Sequence, residues 1–86
     1  MTKSEPFYIK LKLHRESQKI DLNEVAAKSK INIKFLNSIE SGEFQEIPQE
    51  YIKLFLKTYS NQINFDYKKT IEEYEIHTFG AIKTKS

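Results

Sequence analysis

The chain has 86 residues, 38% of them hydrophobic and eleven aromatic, with a net charge of only +2; that describes one small domain with a modest core. It has no cysteine, which excludes a disulfide framework, a thiolate metal site and a thiol nucleophile, and agrees with a reducing cytoplasm. The opening MTKSEPFYIK lacks the uninterrupted apolar core of a signal peptide, and no later apolar run exceeds Leu54-Phe55-Leu56, so neither a secretory leader nor a membrane span is expected within these residues.

A first helix is expected from about Pro6 to Gln18, with Pro6 in a first turn where its missing amide costs nothing. Residues 21–48 are the most informative stretch. Asp21, with Glu24 three positions on, reads as a reciprocal capping pair opening a second helix, in which Leu22, Val25 and Ala26 recur at helical spacing. Lys30, Ile31 and Asn32 separate it from a third helix carrying Ile33, Leu36 and Ile39 at i, i+3, i+6, with Asn32 as cap and Gly42 as stop. Helices this short do not stand alone in water and must pack on each other and on neighbours. Joined by so tight a turn, they form a helix-turn-helix.

A fourth helix begins near Pro48 or Gln49 and reaches about Asn61, with Tyr51, Ile52, Leu54, Phe55, Leu56 and Tyr59 on more than one face. A fifth starts behind Asp66, a good cap, and carries Tyr67, Thr70, Ile71 and Tyr74 before Gly80 and a polar tail. The expected fold is all-α, a five-helix bundle containing a repressor-like helix-turn-helix. Its domain covers residues 1–76, with 77–86 as a polar C-terminal tail.

Three pieces of the chain, LKLHRESQKIDLNEVAAKSKI, FLNSIESGEFQEIP and YIKLFLKTYSNQINFD, resemble the cytoplasmic helix-turn-helix domain of the RodZ family of bacterial cell-shape proteins. The first piece is shared with repressor-type domains in general. Gly42-Glu43-Phe44, Ile47-Pro48 and the helix with Tyr51, Phe55 and Tyr59 are similar to RodZ in particular, and the likeness runs from about Phe7 to Tyr74. Leu54 stands where many members have glycine, and Pro48 to Tyr51 is one residue short of the family spacing. The resemblance implies a monomeric module on the cytoplasmic side of a membrane-anchored protein, followed beyond Ser86 by a basic linker and a transmembrane helix. It also implies a partner, the actin-like MreB filament, docked on the fourth helix and its surroundings.

The repressor-like pattern places Leu11 and His14 toward the core and leaves Ile9 and Leu13 on the flank, where they cover the chain terminus or meet a partner. It also brings Arg15 of the first helix to Glu40 late in the third, a guanidinium-carboxylate pair with a structural role. His14 has no second ligand at i+3 or i+4, and His77 stands alone, so no metal site is expected. Glu72, Glu73 and Glu75 read as a solvated face around Tyr74. With no glycine-rich phosphate loop and no nucleophile-base constellation, the chain is expected to be no enzyme and to need no cofactor.

Two surfaces compete for the function. A duplex reader places polar side chains at the start of the third helix, and Asn32, Lys34, Asn37 and Ser38 are the candidates. Yet that helix opens with Ile33 and Phe35, and residues 31–50 hold one Lys against four Glu, a net charge of −3, while residues 1–30 carry +3 and residues 51–86 carry +2. Contacts to phosphate through Lys10, Lys12, Arg15, Lys28 and Lys30 would be weak and non-specific. The fourth helix instead aligns Tyr51, Phe55 and Tyr59 at i+4 steps beside Lys53 and Lys57, the composition of a protein-interface anchor. The expectation is that part of this stripe is exposed and the lysines face acidic groups of the partner.

Overall fold

The computed structural model describes residues 5–79 and is all-helical among them. The order is α1 Phe7–Ser17, α2 Leu22–Ser29, α3 Ile33–Ser41, a 3-10 turn over Phe44–Glu46, α4 Gln49–Gln62 and α5 Tyr67–Phe79. One core unites them. Phe7 and Leu11 of α1, Val25 of α2, Leu36 and Ile39 of α3, Ile52, Leu56 and Tyr59 of α4, and Tyr74 of α5 are all buried. Phe44 and Ile47, on the connection between α3 and α4, close the same cluster. α4 packs most extensively against α5 and also touches α2, so it is the central helix of the bundle.

Local chemistry sets the helix ends. Asn32 caps α3 by accepting the Lys34 amide at 2.9 Å, and Asp66 caps α5 by accepting the Lys68 amide at 3.0 Å. Asp21 occupies the cap position of α2, but its carboxylate makes no capping bond. Glu24 pairs instead with Lys28 at 3.3 Å. The reciprocal capping pair expected from the sequence therefore does not form.

The turn between α2 and α3 passes through Lys30 in the left-handed conformation, with φ 66°. A non-glycine residue there costs about 1 kcal/mol. Its amide bonds to Ala26 at 2.9 Å, while the Ser29 hydroxyl accepts the Ile31 amide at 3.2 Å and Ile31 enters the core. Gly42 ends α3 at φ 76°, and there glycine is favoured on two counts. A Cβ on it would also collide with the Tyr8 ring.

α5 continues through His77 to Phe79, three residues beyond the point where the sequence reading drew the domain boundary. The expected polar tail after Gly80 lies outside the described residues. No helix among the described residues is long and apolar enough to cross a membrane.

Candidate partner-binding surface

An α-helix turns about 100° per residue, so a ladder of i+4 steps drifts by about 40° at each step. On α4 this drift separates the three aromatics. Tyr51 is 46% exposed, Phe55 is half-buried, and Tyr59, about 80° round from Tyr51, is wholly inside. Tyr59 is therefore no partner contact, contrary to the sequence expectation, because its place on the wheel is the core stripe of Ile52, Leu56 and Ile63.

Inside, Tyr59 completes a buried polar knot. Arg15 donates to Glu40 through both Nε, at 2.7 Å, and an Nη, at 3.0 Å, and its other Nη donates to the Ile20 carbonyl at 2.6 Å. The Tyr59 hydroxyl donates to the same Glu40 carboxylate at 2.5 Å. Arg15 and Glu40 are 8% and 7% exposed, so this charge pair is almost dry, and it survives because nearly every donor has an acceptor. The bond to Glu40 raises the pKa of Arg15 further. Burial first, and then the bond to Glu40, push the Tyr59 phenol well above its ordinary range. Three helices, α1, α3 and α4, are locked at one point.

Lys53 and Lys57 stand about 200° round the helix from Tyr51 and Phe55, on the flank that meets α5. There Lys53 Nζ bonds to Glu75 at 2.7 Å, and Lys57 Nζ sits 4.8 Å from the centre of the Tyr67 ring. The sequence expectation that these lysines flank the aromatics is corrected, though both side chains remain exposed. They belong to the α4–α5 seam.

The other flank is only partly covered, by Phe35 of α3. Tyr51 and Phe55 stack with centroids 5.7 Å apart at 18°, and Phe55 meets Phe35 of α3 at 5.6 Å. Lys34 Nζ lies 5.2 Å from the Phe35 centroid, and Leu54, 56% exposed, extends the apolar surface along α4. A ladder of three rings thus crosses from α3 to α4 at the surface. Beside it an open groove runs between α3 and the 3-10 turn, walled by Lys34, Phe35, Asn37 and Ser41 on one side and by Glu43 and Glu46 on the other.

The proposed duplex-reading set is reduced by the same geometry. The Asn32 side chain is engaged as the α3 cap, and Ser38 is buried with its hydroxyl donating to the Lys34 carbonyl at 3.0 Å. Only Lys34 and Asn37 project freely, and Lys34 leans over Phe35. Sequence reasoning missed the role of Phe35. Its signal was present, since a large aromatic in the first turn of the third helix needs either core or a neighbouring aromatic surface.

Elsewhere, His14 is half-buried with its ring edge-on to Phe65 at 5.3 Å, and its Nε2 is buried without a partner. Leu13 is 48% exposed and Ile9 half-buried. His77 closes an aromatic cluster with Phe7, Tyr8 and Phe44, at centroid distances of 5.7, 5.8 and 5.9 Å, that the sequence did not disclose. Among the described residues no three acidic, histidine or cysteine side chains are grouped to hold a metal ion.

A family model described as a helix-turn-helix domain matches residues 10–70, well over half of the chain. Comparison with curated proteins returns no match, and neither does comparison with solved structures.

Proposed function

The chain belongs to the helix-turn-helix domain family, and from that premise we propose that it is the adaptor domain of a RodZ-like cell-shape protein, which docks on an actin-like MreB-type filament through α4 and the adjoining end of α3. The domain acts without catalysis and as a monomer, on the cytoplasmic side of a membrane-anchored protein. The single observation that carries this reading is the ladder Phe35, Phe55, Tyr51, which lies at the surface of the central helix with Leu54 beside it. Stacked aromatics with an exposed flank supply large, rigid contact area at little conformational cost, which is the make-up of an interface anchor.

The same surface argues against duplex reading as the main role. Where a reader presents hydrogen-bonding side chains to base edges, this helix presents Phe35, and its groove is walled by Glu43 and Glu46, which repel phosphate. Co-sedimentation with purified MreB-type filaments tests the proposal. Tyr51→Ala and Phe55→Ala, each shown by circular dichroism to be folded, are expected to lose about 2 kcal/mol or more of binding free energy. If both pellet with the filament as well as the parent does, the surface is wrong. Binding of one selected duplex at physiological salt, relaxed by Lys34→Ala or Asn37→Ala, would promote transcriptional regulation in its place.

A further inference from the structure

The ladder has an acidic border. Glu43 and Glu46 face Phe35 across the groove. Both are exposed, and neither enters an ion pair among the described residues. One cation shares the groove, Lys34, and it leans over Phe35. Lys53 and Lys57 are held on the far flank by Glu75 and Tyr67, and Lys34 is the one lysine among residues 31–50.

Resting on the reading that this surface receives a partner, we infer that the partner's contacting segment is amphipathic and basic, with apolar side chains to cover Phe35, Tyr51, Leu54 and Phe55 and with Lys or Arg along its edge to meet Glu43 and Glu46. Charge complementarity decides the sign. An acidic segment would bring like charges together at glutamates that form no ion pair within the described residues, whereas a basic one gains ion pairs at the rim and a cation on the outer face of Tyr51, the exposed end of the stack. Lys34 over Phe35 is the same contact made within the chain. This reverses the polarity that the lysines of α4 imply when read from sequence alone.

The test uses the whole 86-residue chain and two synthetic helical peptides with one shared Leu/Phe face, flanked by Lys and Arg in one and by Glu in the other. Fluorescence anisotropy measures affinity, and amide shift mapping locates the site. The basic peptide is expected to bind with shifts centred on Phe35, Tyr51, Leu54 and Phe55, and more weakly as salt is added. The double variant Glu43→Lys/Glu46→Lys, confirmed folded, should weaken it by roughly tenfold or more while improving the acidic peptide. The inference is overturned if the acidic peptide binds the parent as tightly, if the double variant leaves the basic peptide unaffected, if the shifts map elsewhere, or if neither peptide binds. Filament pelleting separates the two proposals. Filaments that bind parent and double variant alike refute the charge assignment and keep the contact, whereas filaments that bind neither, beside a peptide result as expected, refute the filament and keep the basic partner.

Discussion

Tyr51 and Tyr59 are the same residue on the same helix, eight positions apart, and they have opposite fates. Tyr59 is wholly buried and hydrogen-bonded to a carboxylate that also holds Arg15, whereas Tyr51 is 46% exposed and touches Phe55. Helical drift explains the difference: two steps of four residues rotate a side chain by about 80°, enough to carry it from the solvent edge into the centre of a bundle. A stripe that reads as continuous in sequence thus joins two functions, a structural lock at its C-terminal end and a candidate contact at its N-terminal end.

If that division is right, the two ends respond to substitution very differently. The largest effect belongs to the lock. Glu40→Ala strands the Arg15 guanidinium in a nearly dry site and removes the acceptor of Tyr59, so a loss of about 3–5 kcal/mol is expected in urea or thermal unfolding, with Arg15→Ala close behind. A loss under about 1 kcal/mol would mean that the knot is solvated in solution.

Tyr59→Phe keeps the ring and removes only the hydroxyl, leaving Glu40 its bonds from Arg15; about 1–2 kcal/mol is expected. The pH dependence should change with it. The folded protein holds the phenolic proton more tightly than the unfolded chain, whose tyrosine titrates near 10. The contribution of Tyr59 is therefore complete below that pH and is lost progressively as the pH rises above it. Thermal melts above pH 10 should fall less steeply for Tyr59→Phe than for the parent. Equal slopes would remove Tyr59 from the account of alkaline unfolding.

On the α5 flank, Lys53→Ala breaks a pair whose lysine is 55% exposed, and should cost less than about 1 kcal/mol and leave filament binding unchanged. Weakened binding there would return the lysines to the interface. The smallest effect on folding is expected at the other end of the stripe. Tyr51→Ala should shift stability by no more than about 0.5 kcal/mol, since the side chain covers a surface rather than a core. A loss matching that of Tyr59→Phe would erase the contrast between the two tyrosines.

Much of the fold is legible in the sequence because it rests on local rules. The short helices with apolar residues at helical spacing, Asn32 and Asp66 as caps and Gly42 as stop are consequences of backbone hydrogen bonding and φ preference, which neighbours in sequence decide. The pairing of Arg15 with Glu40 came from likeness to repressor-type domains, and the structure joins them at 2.7 Å. Tertiary packing alone decided which flank of α4 is covered. Lys53 and Lys57 read as neighbours of the aromatics until α5 is laid against them, and Phe35 reads as an anomaly of the third helix until Phe55 meets its ring. The start of α2 is different, since a contact within one helix, Glu24 with Lys28 at i and i+4, stands there in place of the expected cap, while Lys30 turns left-handed just before Ile31 enters the core. Periodicity says that a helix has an apolar face and how wide it is. Which part of that width is buried depends on where the other helices lie, and that is settled by contacts between residues far apart in the chain.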